Sequence, residues 1–370
     1  MSDAQASDKA SDRAKEKPTA EEMPLPSDPK TIFLGGLFVM ALFTALHVAQ
    51  DVVLPIVIAL VLKLLLQPIV RLLERVRVPK ALGALVAVLL LLGVFAALGA
   101  ILSGPASEMV KNFPTLVAHA QERFAALQPI ITKAQSLMSG LGIEGGGEGG
   151  GLQGMLSHLG GVAGGVAAGA SSFASHLLET LLILFYMLTF GETFMRRLVE
   201  VLPSFGDKKQ AVEISAAIEK DIGAYLITIT VINAVVGLAC GLVMWGFGVP
   251  GAVVWGVLAF CLNYVPILGP FVGVGLFAMV GLATLGTAWA ALLPAAAYLG
   301  IHFAEGEAIT PMLLAKRFTL NPIAVMVGLV FWYWLWGVQG AILSVPLLAI
   351  VKIMSDRLRP FRALGHLLEG

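Results

Sequence analysis

Charged side chains are scarce in this 370-residue chain, making up 13% of it against 58% hydrophobic residues. Soluble domains carry about twice that charged share, so the soluble globular class is excluded. The 24 basic and 24 acidic residues cancel to a formal net charge of +0, which argues against a nucleic-acid partner. Cysteine is also rare, and Cys240 and Cys261 both lie in apolar segments. They indicate neither a disulfide framework nor a metal site.

Motifs for catalysis are missing as well. The sequence has no HExxH zinc motif, no phosphate-binding Gly-Lys-Ser or Gly-Lys-Thr loop, and no GxSxG with plausible triad partners. We therefore expect no enzymatic activity and no bound cofactor. Because a nucleotide motif is missing, we expect any energy-requiring step to draw on an ion gradient, with H⁺ or Na⁺ as the coupling ion.

Apolar runs of the roughly 20 residues needed to cross a bilayer fill most of the chain from residue 31 onward. They predict an all-α integral membrane protein with about eight hydrophobic segments. Two longer stretches, Ala252–Leu282 and Pro322–Ile353, are interrupted. The six simple candidates are Ile32–Ala49, Val52–Leu73, Leu82–Ser103, Ser172–Phe190, Ala224–Phe247 and Thr287–Phe303.

The first interrupted stretch is broken at Asn263-Tyr264-Val265-Pro266-Ile267-Leu268-Gly269-Pro270. Its two prolines remove backbone donors and forbid a continuous helix. In hydrocarbon, broken backbone is tolerated only where protein or a water-filled cavity covers it, and transporters place substrate and ion sites there. A kink satisfied by neighbouring helices is the alternative. The predicted solute pathway of a transporter includes Asn263, Tyr264, Pro266, Gly269 and Pro270.

The second stretch is broken around Gly337-Val338-Gln339-Gly340. Gly337 and Gly340 permit close approach of other groups, while Gln339 and Ser344 offer hydrogen bonds. Tight helix packing through small residues explains the same pattern and is the alternative. The predicted pathway takes in Gly337, Gln339, Gly340, Ser344 and Pro346, together with Asn233 of the fifth span.

Basic residues in short loops orient the chain. They place the second-to-third connection and the loop after the fourth span in the cytoplasm. Basic residues also cluster around Lys316 and around Lys352. Both clusters lie in the cytoplasm only if each interrupted stretch turns back at its break. Each stretch would then form a re-entrant hairpin of two half-length helices. Two long tilted spans with kinks are the alternative. A weak repeat, Pro250–Gly256 against Pro322–Gly328, favours paired hairpins.

These patterns divide the chain into five segments. Residues 1–30 are predicted to be a disordered cytoplasmic tail, and residues 31–103 to hold the N-terminal membrane helices. Residues 104–170 are predicted to be an extracytoplasmic amphipathic helical segment with a Gly-rich loop. Residues 171–353 are the predicted transport core, and residues 354–370 a cytoplasmic C-terminal tail.

Four charged residues in or beside the spans are candidates for coupling or gating. Lys63 lies mid-span, where an unpaired ammonium costs about 3 kcal/mol on insertion scales, and Glu179 in the fourth span is its expected partner. Glu305 and Glu307 follow the seventh apolar stretch and are candidates to carry a proton. A static ion pair and a solvated helix end are the respective alternatives.

An ordered set of short motifs resembles the AI-2E family, the autoinducer-2 exporter-like transporters, and is closest to the quorum-signal exporter branch. The resemblance implies a transporter of autoinducer-2 or, as for some members, a cation–proton exchanger. Ile267 departs from the aromatic residue that many relatives have after this proline, which leaves the substrate open. The motifs are Val53-Leu54-Pro55, Gln67-Pro68-Ile69-Val70, Arg77-Val78-Pro79, Asn263-Tyr264-Val265-Pro266 with Gly269, Thr310-Pro311, and Gly340-Ala341-Ile342-Leu343-Ser344-Val345-Pro346-Leu347.

The sequence thus predicts a secondary transporter in a bacterial inner membrane, with both termini in the cytoplasm. Its expected partners are the lipid bilayer, a small-molecule or cation substrate, and further copies of itself in a homo-oligomer. Export of a small polar solute or signal by ion-coupled alternating access is the leading form. A monovalent cation/proton antiporter is one alternative, and an uncoupled channel or membrane scaffold is another.

Overall fold

The computed structural model describes residues 29–104, 107, 108, 111, 115, 177–285, 287, 289–309, 320–358 and 362–368. The predictions for the N-terminal tail, for most of segment 104–170, for Thr310-Pro311 and for Lys316-Arg317 lie outside the described residues. The regular elements of the described part are helices, five of them long and apolar enough to cross a membrane. The predicted all-α membrane fold is confirmed.

Residues 1–49 and 50–370 are two separate units. In the first, helix α1 (Pro29–Val48) is 20 residues long. Most of its large side chains are solvent-accessible, since Phe33 is 70% exposed, Phe38 67% and Met40 72%, whereas Phe43 and Leu46 are half-buried. An apolar helix that exposes most of its surface is typical of a segment in contact with lipid.

The second unit begins with three long helices, α2 (Gln50–Arg75), α3 (Lys80–Gly104) and α4 (Leu177–Val201). Small and aliphatic side chains make their common core, with Ala59 and Val70 of α2 buried against Ala84 of α3 and Leu184 of α4. Helix α4 continues 11 residues beyond the predicted end at Phe190. The Lys80 ammonium pairs with the Glu192 carboxylate at 2.5 Å, which fixes the α2–α3 loop to α4.

A continuous helical run then extends from Phe205 to Gly246 over 42 residues. It consists of α5 (Phe205–Ala217), a π-turn (Ile218–Ile222) and α6 (Gly223–Gly246). Ser204 caps α5 by accepting a hydrogen bond from the Asp207 backbone N–H at 3.1 Å. The part before Gly223 was not predicted as helix, because α5 is polar and only the apolar signal was used.

The first interrupted stretch forms α7 (Ala252–Leu262) and α8 (Leu268–Thr284). These helices fold back on one another, since the Trp255 and Phe277 rings lie 5.3 Å apart although 22 residues separate them. We call this unit the first hairpin and its turn, Asn263–Ile267, the first tip. Helix α7 also packs closely on α6, where a methyl group added at Gly237 would lie 2.7 Å from the Gly256 carbonyl oxygen.

The second interrupted stretch, α10 (Pro322–Arg357), is broken at Trp336 and Gly337, which have non-helical backbone angles. Its two arms also fold back. A methyl group added at Gly328 would lie 3.7 Å from the Leu348 side chain, although these residues are 20 positions apart. We call this unit the second hairpin and Trp336-Gly337 the second tip. The structure thus favours two hairpins over the alternative of two kinked spans.

The arms of the hairpins differ in length. Helix α7 has 11 residues and α8 has 17, so their lengths are about 16 and 25 Å at 1.5 Å per residue. The arm after Gly337 is longer and runs unbroken to Arg357, over about 30 Å, which matches the hydrocarbon thickness. The prediction of half-length helices is therefore wrong for this second arm.

Two further elements complete the unit. A 3₁₀ turn (Ala290–Leu292), α9 (Leu293–Ala304) and a second π-turn (Glu305–Ile309) follow one another, and the predicted span Thr287–Phe303 corresponds to this composite. The short helix α11 (Arg362–Leu367) returns to the base of the second hairpin. There the Asn321 backbone N–H donates to the Leu368 carbonyl oxygen at 3.1 Å.

Candidate functional site

The first tip brings polar side chains into contact with α6. Asn263 Nδ2 donates to Asn233 Oδ1 at 3.0 Å, and Tyr264 Oη donates to Thr230 Oγ1 at 2.9 Å. Thr230 in turn donates to the Leu226 carbonyl oxygen at 2.7 Å. Two amides and two hydroxyls thus meet inside an otherwise apolar bundle. Asn263, Tyr264 and Asn233 were predicted as pathway residues.

Asn233 is fully buried, and its Nδ2 has no hydrogen-bond partner among the described residues. A buried amide that lacks an acceptor costs about 1–3 kcal/mol. This donor is shut off from solvent inside the cluster, next to Tyr264, and a solute that enters the cluster can supply the missing acceptor. The cluster carries no formal charge, so it suits a neutral hydrogen-bonding solute.

Backbone strain is concentrated at Ile267, in the first tip. Its φ of 65° and ψ of −55° form a γ-turn, closed by a hydrogen bond from the Leu268 N–H to the Pro266 carbonyl oxygen at 2.6 Å. A β-branched residue in this conformation is strained by about 1–3 kcal/mol, and such strain clusters at functional sites. The Pro266 carbonyl oxygen is therefore the acceptor that closes this turn.

Gly269 and Pro270 start helix α8 directly after the turn. Gly269 is buried, and a methyl group there would overlap the Leu262 carbonyl oxygen at the end of α7. A residue without a side chain is needed for the two arms to meet this closely. Pro270 is half-buried in the first turn of α8, where its missing N–H costs nothing.

The second tip is built differently, from backbone and glycine. Gly337 has φ 62° and ψ −144°, angles that favour glycine, and a methyl group at Gly340 would overlap the Trp332 carbonyl oxygen. Gly337 and Gln339 line a cavity of 370 Å³. Ser344 and Pro346 are buried in the second arm and do not line this cavity, and the Ser344 hydroxyl donates to the Ala341 carbonyl oxygen at 2.7 Å.

The Lys63 ammonium has a different partner from the predicted one. It lies 3.4 Å from the Glu219 carboxylate, on the π-turn before α6, while Glu179 is exposed at the start of α4. The predicted Lys63–Glu179 pair is therefore wrong. Glu219 also binds the Arg71 guanidinium at 2.6 Å, so one carboxylate bridges two cations of α2.

Lys63 and Glu219 are poorly accessible, with 13% and 17% of their side chains exposed. A methyl group added at Gly191 of α4 would lie 3.1 Å from the Lys63 ammonium nitrogen. The pair thus lies where α2, α4 and the π-turn converge. π-turns often occur at functional sites, and this one turns Glu219 toward α2. No pattern in the sequence singled out Glu219, since it belongs to a mixed-charge run.

The two remaining candidate charges lie on the second π-turn. Glu305 is half-buried and engaged by neighbouring groups, whereas Glu307 is exposed. One turn earlier, His302 is buried in α9 beside Tyr298, with ring centroids 4.3 Å apart. His302 Nε2 and Tyr298 Oη have no hydrogen-bond partner among the described residues. Neither residue was in the predicted site.

This arrangement can be compared with known proteins. A family model described as "AI-2E family transporter" matches residues 37–360. The chain belongs to the AI-2E transporter family. It is thus a multi-pass membrane protein with a transport role and is not an enzyme. The inferred resemblance is confirmed, and both hairpins of this AI-2E family member fall within the matched range.

Three curated relatives give the degree of similarity. AI-2 transport protein TqsA of Escherichia coli (strain K12) is 32% identical over 50% of this chain and 55% of its own length. The protein YhhT of the same strain, whose name describes it only as a candidate transport protein, is 31% identical over 37% and 39%. The similarly named YrrI of Bacillus subtilis (strain 168) is 24% identical over 46% and 48%. The chain spans about half the length of the curated relatives it matches.

Proposed function

We propose that this AI-2E family member exports a small polar solute of the autoinducer-2 type by alternating access, coupled to a gradient of H⁺ or Na⁺. The observation that carries the proposal is the first tip, where interrupted main chain presents Asn263 and Tyr264 to Asn233 and Thr230. Discontinuous helices in the bundle are where secondary transporters bind their cargo. The name of TqsA supports a solute of this class.

Two features supply a means of switching between states. The strained γ-turn at Ile267 can relax when a solute rearranges the first tip, because strain lowers the barrier between two local conformations. The Glu219 carboxylate holds α2 to the π-turn through Lys63 and Arg71. Loss of these contacts on binding of a coupling ion elsewhere in the bundle would link the gradient to helix movement, provided that the ion binds the two states with different affinity.

Solute transport is tested in inside-out vesicles from cells that lack their own autoinducer-2 exporter. We expect saturable, gradient-dependent uptake of autoinducer-2, and a rate at least about tenfold lower for Asn263→Ala, because one lost hydrogen bond to a buried polar group costs about 1–3 kcal/mol. Thr284→Ala is the matched control, since the Thr284 hydroxyl donates within α8, to the Val280 carbonyl oxygen, and makes no other hydrogen bond within the part of the chain that the structure describes. Non-saturable uptake, or equal rates for Asn263→Ala and wild type, contradicts the proposal.

A second candidate function is monovalent cation/proton antiport, and the Lys63–Glu219 pair favours it. Ionisable groups inside a membrane bundle commonly mark ion and proton pathways. Proteoliposomes with a pH-sensitive dye and Na⁺, K⁺ or Li⁺, but without organic solute, separate the two functions. Cation-dependent proton flux without autoinducer-2 supports the antiporter, and flux that needs the solute supports export. Uncoupled leak of both indicates a channel.

The proposal includes a location in the bacterial inner membrane with both termini in the cytoplasm. Under this orientation Trp289, before α9, faces the outside, and Leu358, after α10, faces the cytoplasm. Single cysteines at these positions, in a background without Cys240 and Cys261, are labelled with an impermeant maleimide in intact cells. We expect labelling at 289 alone, and labelling at 358 contradicts the orientation.

Self-association is also part of the proposal. Apolar side chains of α3 remain uncovered within the second unit, among them Leu85, Leu89 and Leu90. In a membrane such faces can pack against another copy or against lipid. Native mass spectrometry in detergent measures the outcome, and we expect a homo-oligomer that persists on dilution.

A further inference from the structure

A cavity of 370 Å³ adjoins the second tip, where it meets the N-terminal ends of α2 and α4. The larger cavity of 560 Å³ between α3, α6 and α7 has an almost purely apolar lining. The smaller cavity differs because residues with oxygen-bearing side chains from three elements line it. They are Gln50 and Asp51 of α2, Thr180 of α4, and Gln339 beside the second tip.

Irregular main chain also borders this cavity. Pro55 lies inside α2 and also lines the cavity. Proline has no N–H, so the carbonyl of Asp51, four residues earlier, receives no helical hydrogen bond. On the opposite wall, the non-helical angles of Trp336 and Gly337 interrupt the hydrogen-bond ladder of α10. The proline of α2 and the break in α10 therefore both line the same cavity.

The charge of the cavity selects the class of ligand. Asp51 carries the single carboxylate, none of the described lining residues is basic, and no described residue forms an ion pair with Asp51. Hard cations prefer oxygen ligands, and divalent ions usually need more than one carboxylate or a bound phosphate. One negative charge among neutral oxygens fits a singly charged cation.

We propose that this cavity is a binding site for an alkali cation, with Na⁺ as the expected ligand, held by the Asp51 carboxylate and the oxygens of Gln50 and Gln339. The volume of 370 Å³ leaves room for the ion to keep part of its hydration shell. The site is distinct from the solute cluster at the first tip. It rests on the proposed function only for its role, which is to supply the coupling ion.

The location of the site explains how occupancy would be sensed. The cavity wall includes Trp336 and Gly337, the two residues on which the arms of the second hairpin turn. A cation that bridges α2 and this turn stabilises the hairpin state in which these elements are close. By linkage, the same state then binds the cation more tightly.

The test uses the purified full-length protein in detergent without organic solute. Equilibrium binding of radioactive ²²Na⁺ is measured together with thermal unfolding in NaCl, KCl or LiCl, with choline chloride at the same ionic strength as reference. We expect saturable binding and a higher Tm in the favoured cation. Asp51→Asn should weaken the apparent affinity by about tenfold or more, because it removes the charged ligand.

The control variant is Glu200→Gln, which removes one exposed carboxylate that lines no described cavity. It should bind ²²Na⁺ as wild type does. Gln339→Ala should weaken binding less than Asp51→Asn while the protein stays folded, as judged by its Tm in choline chloride. The proposal is overturned if Asp51→Asn binds like wild type, or if none of the three cations raises the Tm above the choline value.

The experiments distinguish failure of the export proposal from failure of the cation site. Cation binding that depends on Asp51, in a protein that transports no autoinducer-2, overturns the export function and leaves this site intact. Saturable solute uptake with no Asp51-dependent cation binding overturns this site and leaves export intact.

Discussion

Each hairpin turns at a break in helical backbone, and different interactions hold the two breaks. The first tip is held by side chains, since Asn263 and Tyr264 bond to residues of α6. The second tip is held by glycine geometry and borders a cavity that contains Asp51. The arms of the first hairpin, Ala252–Leu262 and Leu268–Thr284, contain no charged residue. The first tip thus offers neutral hydrogen-bonding groups, whereas the cavity at the second tip offers a carboxylate.

The largest effect on stability is expected at the glycines that let the backbone come close at each tip. Gly269→Ala and Gly340→Ala each force a methyl group against a backbone carbonyl, of Leu262 and Trp332 respectively. We expect each to lower the free energy of unfolding by about 3 kcal/mol. Unfolding by SDS in mixed micelles measures it. Gly300→Ala is the control, because an added methyl group there meets nothing. A loss of stability for only one of the two variants would contradict the prediction that both tips need a glycine in close backbone contact.

The next effect concerns the charges beside the second hairpin, whose second arm shares a core cluster with Leu64 and Ile222. Glu219→Gln leaves both Lys63 and Arg71 without their carboxylate and should cost about 2 kcal/mol. Lys63→Met should cost less, since Glu219 keeps Arg71. The same micelle titration ranks them, and the reverse order contradicts the bridging role of Glu219.

A third prediction contrasts the left-handed positions of the two tips. Gly337→Ala introduces a side chain at φ 62° and should destabilise by about 1 kcal/mol. Ile267→Gly removes a side chain at φ 65° and should instead stabilise by about 1 kcal/mol, because the strain relieved exceeds the entropy cost of glycine. Opposite shifts in Tm are expected. Shifts of the same sign contradict the assignment of strain to Ile267.

The smallest expected effect is the coupling between Asn233 and Asn263. Polar pairs between membrane helices contribute about 0.6 kcal/mol on average. A double-mutant cycle with Asn233→Ala and Asn263→Ala should yield a coupling energy of that size in unfolding, while transport falls far more. A coupling near 3 kcal/mol with normal transport would identify the first tip as a purely structural lock.

The sequence located both breaks, because Pro266 and Pro270, and Gly337 and Gly340, are unusual inside apolar runs. It also found Asn233, a lone amide in a span. It missed Thr230 and Glu219, and it assigned the wrong partner to Lys63. Hydropathy identifies which segments enter the membrane, but it does not show which faces of two helices meet. That relation depends on tertiary packing, such as the close approach of Gly223 to the Leu64 carbonyl oxygen.

Asp51 is a second residue whose surroundings could not be predicted from the sequence. In sequence it is an acidic residue in the first turn of a helix, where a carboxylate is favoured by the helix dipole alone. Only the folded chain places Gln339 and Thr180, from distant segments, beside it. The sequence identified Pro55 as part of a motif. Only the structure shows that Pro55 and Asp51 line the same cavity.

The return of the chain at Leu368 has a practical consequence. Its carbonyl accepts a hydrogen bond from Asn321, directly before the second hairpin, and Lys352 of the outgoing arm donates to the Gly365 carbonyl at 3.3 Å. The segment therefore ties together the two ends of the second hairpin at its base. A fluorescent reporter fused behind it is mechanically attached to that base, so in living cells its signal tests whether the base of the hairpin moves when solute is added.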